Sequence, residues 1–267
     1  MTDFAQAAAL LSTSPDHWVL RRVPPVEEWQ LPAAEVETVR ACIVDCETTG
    51  LADADEVIEL AVVPFEYEKA TGRVVRVLTS EARTGFCEPS IPIPPDATRV
   101  HGITAEMVAG KQITDEQLAP VLNGVQLCIA HHASFDRGMV ERQWPMFEHL
   151  PWACSIADMD WSAEGIGSNK LDYILWKQGW FFDGHRAGDD ALATLFALTL
   201  TLPVSGKHGL SVLLERARRP QYLLRAIDTS FDHKAVLQAR RYQWDPGGED
   251  RCKAWTVMTA DPDAEVA

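Results

Sequence analysis

The sequence predicts an α/β fold in three layers, with helices on both faces of a mixed five-stranded sheet, over residues 38–203. Three observations lead there. Strand-like apolar runs come first, at residues 40–45, 57–65 and 73–79, separated by polar turns. Two more runs, at 125–130 and 152–156, then alternate with segments of helical period. The composition, 46% hydrophobic and 24% charged over 267 residues, suits one well-filled core plus an appendage.

The elements follow in order. Residues 1–37 read as an N-terminal helix and linker: 4–12 are rich in Ala and Leu, and Pro24, Pro25 and Pro32 punctuate the rest. Trp18 and Trp29 are expected to pack on the main domain. The run at 40–45 is continuous rather than alternating, as in a central strand covered on both faces. Residues 89–95 carry too many prolines for such a strand and are expected to form an extended loop. Thr104 is placed to cap a helix starting at Ala105, and a second short helix is expected over 115–122. The strand at 125–130 runs into His131, and a helix then opens and continues to Glu141. Residues 170–177 put Leu171, Ile174 and Leu175 on one helical face. A longer helix, 187–202, carries Leu192, Leu195, Phe196 and Leu200 at helical spacing.

Residues 204–260 have a separate pattern and read as a small basic α+β appendage. Helices are expected at 210–214 and 231–240, and short strands at 242–244 and 254–258 flank the Pro246-Gly247-Gly248 turn. The acidic tail, 261–267, is expected to fray. In the appendage, basic side chains interleave with Tyr222, Tyr242, Trp244 and Trp255. They supply either phosphate contacts and base stacking or a small core with a basic face.

Charge and cysteines bound the function. The net charge is −15, but residues 1–206 hold 14 basic and 30 acidic side chains, and 207–255 hold 10 and 6. Carboxylates that bind metal are neutralised in use, so the total neither excludes nor demands a nucleic-acid partner. Six scattered cysteines with no C-x-x-C pair argue against a zinc site or a disulfide framework and for a cytoplasmic protein. No apolar run is long enough for a membrane span, and the N-terminus lacks the basic start of a secretory signal.

The chemistry gathers around Ala41–Leu51. Asp45 and Glu47 stand one residue apart at the end of an apolar strand and project to one face. Such a pair either forms a solvated acidic turn or holds a hard divalent cation. Asp136 follows another strand, and Asp190 sits at the start of the long helix, five residues after His185. Four acids meeting at strand ends call for two divalent cations, Mg²⁺ or Mn²⁺. His185 lies in a glycine-flanked loop, as a solvated side chain or as a proton acceptor beside such a site. Asp189 rivals Asp190, but adjacent helical positions diverge by about 100°.

Three segments, Asp45-Cys46-Glu47-Thr48-Thr49-Gly50-Leu51, His131-His132-Ala133-Ser134-Phe135-Asp136 and His185-Arg186-Ala187-Gly188-Asp189-Asp190, resemble in order the three motifs of the DEDDh, epsilon-like 3′–5′ exonuclease family. The segment Val100-His101-Gly102-Ile103-Thr104 also resembles one found between the first two motifs. The resemblance implies a ribonuclease H-like fold and two-metal release of nucleoside 5′-monophosphates from single-stranded DNA 3′ ends. It further implies Asp45, Glu47, Asp136 and Asp190 as metal ligands and His185 as general base. Thr48, Thr49, Gly50 and Leu51 would meet the 3′-terminal nucleotide, with Leu51 wedged against its base. Two departures stand out: His132 where the family often has Asn, and Cys46 where a larger apolar residue is common. Only a packing change is expected at Cys46, away from the ligands. Phe135 and His101 each have a structural reading and a substrate-contacting one, and the structural reading is preferred for both. RNA as substrate, small phosphodiesters, and a nucleic-acid-binding module attached to a DNA polymerase or repair partner are the rival functions. The oligomeric state is not set by the sequence.

Overall fold

Residues 4–220, 222–248 and 251–266 are described by the structure, a computed structural model. The chain enters through helix α1 (Phe4–Leu11) and strand β1 (Arg21–Arg22). It then forms the longest ladder of the molecule, β2 (Thr38–Thr48) against β3 (Val57–Glu68), antiparallel from Thr38↔Glu68 to Glu47↔Glu59. Along β2, Ala41 and Ile43 enter one core cluster, while Cys42, Val44 and Cys46 enter another. That alternation makes β2 the wall between two cores, each covered by helices.

The strand expected over 73–79 is shorter, β4 (Val74–Val77), and a second one, β5 (Arg83–Phe86), pairs with β3 beyond it. The polar turn Thr79–Glu81 separates the two. The sheet therefore has six strands in five lateral positions, because β4 and β5 share one edge of β3. The proline-rich loop also yields to a helix sooner than expected. Helix α2 (Pro95–His101) starts on Pro95, where a missing N–H costs nothing, and stops at Gly102 with φ 71°. Short helices α3 (Ala105–Val108) and α4 (Asp115–Leu122) follow.

Strand β6 (Val125–Ala130) adds to β2 in parallel, and α5 (Ala133–Gln143) leads to β7 (Trp152–Cys154), parallel to β6. The order is β4-β3-β2-β6-β7. Helix α6 (Leu171–Lys177), strand β8 (Trp180–Phe181), α7 (Ala187–Thr199) and α8 (Gly209–Ala217) complete this part. The α7–α8 side holds Ile43, Phe65, Ile174, Leu195 and Leu213. The α4–α5 side holds Val44, Leu60, Leu118, Val140 and Phe147. Each such fully buried side chain stabilises the fold by about 1.5–3 kcal/mol.

Trp29 packs as expected, buried with its ring 5.0 Å from Phe196. Trp18 touches the domain but stays 59% exposed beside Trp176. No helix among the described residues is long and apolar enough to cross a membrane.

The chain divides into two units, Met1–Ala217 and Arg218–Ala267, later than the boundary expected at 203/204. The reason is α8: Leu210, Leu213 and Leu214 are buried in the same core as α7, so the helix cannot leave with the appendage. In the second unit, β9 (Tyr222–Ala226), β10 (Gln243–Asp245) and β11 (Ala254–Thr259) form an antiparallel sheet, ordered β10-β11-β9, with α9 (Lys234–Ala239) between β9 and β10 in sequence. Strand β9 was not expected. The tail is not wholly frayed, for it carries α10 (Pro262–Val266), tied by Arg240 to Glu265 at 3.0 Å.

Candidate active site

Strand β2 delivers Asp45 and Glu47 to the face that looks toward the start of α7. There Asp190 lies in the first turn, its carboxylate accepting the Arg186 N–H at 3.0 Å. Asp45, Glu47 and Asp190 each offer an oxygen within 4.8 Å of the other two. Burial raises all three above the ordinary carboxylate range, Glu47 to about 8; neighbouring acids add to the rise at Asp45 and Glu47, while hydrogen bonds from the Arg186 and His185 backbone oppose it at Asp190. Among the charges around Asp45, that of Asp136 raises it most.

Asp136, in the first turn of α5, is 4% exposed and lies outside the cluster of three. Burial lifts it to about 7, against hydrogen bonds from Cys46 that pull it down. Here one expectation is corrected. Cys46 does more than pack, since its thiol lies 3.3 Å from Asp136 Oδ1 and donates to it. The cause is the pleat: with Asp45 and Glu47 on one face, Cys46 must point to the other, toward α5.

His185 sits at φ 70°, a left-handed turn just before α7, with its side chain exposed. It lines the same cleft as Asp190 and His132. Asp189 is exposed and borders a different surface, beside Arg22 and Leu192, which removes it as a rival to Asp190. His131 also lines the cleft; burial pushes it down to about 4, and its Nδ1 lies 2.7 Å from Ser155 Oγ. Phe135 is half-buried within the core near α5 and stacks on His132 at 6.2 Å. His101 is buried, and its Nδ1 accepts the Ile103 N–H at 3.0 Å, so it braces its own loop.

The loop after Glu47 is built around a residue the sequence reading passed over, Asp55. It accepts Thr49 Oγ1 at 2.8 Å and the Ala52 N–H at 2.7 Å. A Cβ on Gly50 would stand 2.5 Å from its carboxylate, so a larger residue there would push Asp55 off these partners. Thr48 Oγ1 is likewise committed, to Gly50 O at 2.6 Å, while Leu51 is 86% exposed.

Glu59 and Arg186 were also passed over. Glu59 is 1% exposed on β3, opposite Glu47. It accepts Arg186 Nη2 at 2.7 Å and Nε at 3.1 Å, and the Ala187 N–H at 3.1 Å. One carboxylate thus pins the first residue of α7 and the residue after His185. The signal was available: a lone Glu inside the apolar run 57–63 needs a partner.

The carboxylates fit a cation. Three half-buried carboxylates converge, and Arg186 relieves Glu47 only weakly, as the last of the influences on it. An all-oxygen set suits Mg²⁺ or Mn²⁺. The sequence profile of the RNase T exonuclease family matches residues 42–198. The chain belongs to this exonuclease family. Its fold is accordingly the ribonuclease H-like exonuclease fold, and its class is that of phosphodiester hydrolases.

Among individual members, the DNA polymerase III epsilon subunit of Pasteurella multocida is 30% identical over 117 residues, 40% of this chain and 43% of that protein. That of Treponema pallidum is 26% identical over 182 residues, 64% of this chain and 80% of that protein. The PolC-type DNA polymerase III of Thermotoga petrophila is 29% identical over 186 residues, 67% of this chain and 13% of that protein. The chain thus spans less than half of the Pasteurella and a small part of the Thermotoga relative. A solved structure of Exonuclease X with 5′ overhanging duplex DNA is similar at TM-score 0.43 and 24% identity, covering 65% of this chain and 99% of that one.

Proposed function

We propose that this protein is a metal-dependent 3′–5′ exonuclease that releases nucleoside 5′-monophosphates from single-stranded DNA ends. The observation that carries the reading is the meeting of Asp45, Glu47 and Asp190, the last of which lines a cleft together with His185. Asp45, Glu47, Asp190 and Asp136 would hold two divalent cations. Bound there, these supply positive charge to the scissile phosphate and make water a better nucleophile. His185, exposed on its left-handed turn, takes the proton of the attacking water. The Glu59–Arg186 pair keeps that turn in place.

The loop Thr48–Leu51 receives the 3′-terminal nucleotide. Its hydroxyls are already bonded within the protein, so the backbone meets the sugar and the exposed Leu51 side chain meets the base. DNA is favoured over RNA because the curated relatives named above belong to DNA polymerases. The same names support a DNA polymerase partner.

The test is direct. Purified protein with Mg²⁺ should shorten a 5′-labelled DNA strand one nucleotide at a time, faster than the matching RNA, and chelation should stop it. Full activity in Asp45→Ala or His185→Ala would overturn the mechanism, and faster RNA digestion would overturn the substrate.

A further inference from the structure

Phe182 belongs to two grooves at once. Its ring lies against Gly184, where an added Cβ would stand 3.5 Å from Phe182 Cε2 and 3.6 Å from Asp190 Oδ1. On one side it lines the catalytic cleft with His185 and Asp190. On the other it lines an apolar hollow with Tyr173, Trp176 and Phe181. Asp172 borders both, so the hollow adjoins the cleft.

The hollow exposes rings that a surface normally hides. Trp176 is 41% exposed, Phe181 37% and Trp18 59%. They are held in place: Trp18 Nε1 donates to Trp176 O at 3.2 Å, Tyr173 and Trp176 lie 5.4 Å apart, and Arg22 covers Phe181 at 4.8 Å. The inward face of α6 is already supplied by Leu171, Ile174 and Leu175. The exposed rings are therefore surplus to the core, and apolar patches of this kind mark binding surfaces. Local charge indicates the occupant. In the segments 18–22 and 170–183, Arg22 is paired with Asp183 at 2.6 Å, and Arg21, Lys170 and Lys177 outnumber the remaining acid, Asp172, within a chain of net charge −15.

We propose that this aromatic shelf binds the substrate strand itself, stacking the bases that follow the 3′-terminal nucleotide as the strand leaves the cleft past Phe182. The proposal rests on the exonuclease reading above. Stacking suits an enzyme that must accept any sequence, because every base presents a π-face. The neighbouring arginines and lysines neutralise the phosphates between the stacked bases.

Trp176→Ala and Phe181→Ala test it, with Trp176→Phe as the conservative partner and thermal unfolding to verify folding. Steady-state hydrolysis is measured on a decanucleotide and on a dinucleotide too short to reach the shelf. Each Ala variant should raise KM for the decanucleotide about tenfold, with the loss falling on KM rather than kcat. The effect should shrink on the dinucleotide, and Trp176→Phe should restore most of it. Unchanged KM for the decanucleotide in both Ala variants would sink the shelf and leave the exonuclease reading standing. So would variants that lose only self-association, read by sedimentation. Conversely, suppose the unaltered protein hydrolyses nothing, yet its tryptophan fluorescence is quenched by the decanucleotide in chelator and Trp176→Ala removes the quenching. The shelf then stands, and the exonuclease reading fails.

Discussion

The two ends of the β2–β3 ladder bury acids and treat them in opposite ways. At the Thr38 end, Glu68 is fully buried and fully satisfied. It accepts Arg73 Nη2 at 3.0 Å and Nε at 3.1 Å, Thr71 Oγ1 at 2.5 Å and the Glu35 N–H at 2.9 Å. Those bonds, from Arg73 first, draw its pKa down to about 2. At the other end Glu47 rises to about 8, with Asp45 and Asp190 raised beside it. An acid that brings its own arginine consolidates the fold. A group of acids left without one weakens the fold until a cation arrives. The ladder thus joins a structural end to a ligand-binding end, and Glu59, buried but paired with Arg186, belongs structurally to the first kind while sitting at the second.

The sharpest way to break this contrast is to neutralise one acid at each end. Asp190→Asn should cut kcat about a thousandfold. In chelator at alkaline pH it should raise the melting temperature, because a repelled charge is gone. Glu68→Gln should do the reverse, lowering the melting temperature by several degrees with kcat retained. If both variants were destabilised alike, the two ends would not differ in kind.

Glu59→Gln probes the intermediate case. Loosening Arg186 and the Ala187 N–H shifts the His185 turn, so kcat should fall about a hundredfold with little change in KM. A kcat equal to the unaltered enzyme's would show that the pair only fills space.

The pH dependence of stability should have opposite signs for the two ends. Glu47 has a folded pKa of about 8 against an ordinary 4.5, so the stability it contributes is present below 4.5 and lost as pH rises through 8. Calorimetry in chelator should therefore show the melting temperature falling over that window, and Mg²⁺ should flatten the fall. Glu68, lowered from 4.5 to about 2, contributes stability above 4.5 that is lost as pH drops toward 2. The acid loss should be missing in Glu68→Gln.

The smallest effect is expected at Cys46→Ala. It removes one thiol donor to Asp136, worth about 1 kcal/mol. Activity should drop only a few-fold, with the Mg²⁺ concentration for half activity raised; no shift in Mg²⁺ dependence would reduce Cys46 to packing.

Much of this was legible in the chain. Helix α4 and strand β6 were readable to the residue, since the segment 115–122 and the apolar run 125–130 are local signals. Asp45 and Glu47 were readable as a pair because a strand's period puts alternate residues on one face. Helix α2 was missed because Pro95 looks like a breaker unless it is known to begin a helix. The break between β4 and β5 was missed because both pair with different stretches of the one long strand β3, and its length there is a tertiary outcome.

The sequence by itself determined the order of the acids, the strand that carries two of them and the helix that starts beneath a third. These follow from spacing, and from the cost of burying charge that has no use. Tertiary structure alone decided which of the buried acids are neutralised. Glu59 finds Arg186 across 127 residues and Cys46 finds Asp136 across 90, while Asp45 and Glu47 face mainly other acids, with Arg186 acting only weakly on Glu47. A carboxylate's character depends on the charge a few ångströms away, and that neighbour is chosen by how the layers pack rather than by what stands next in the chain.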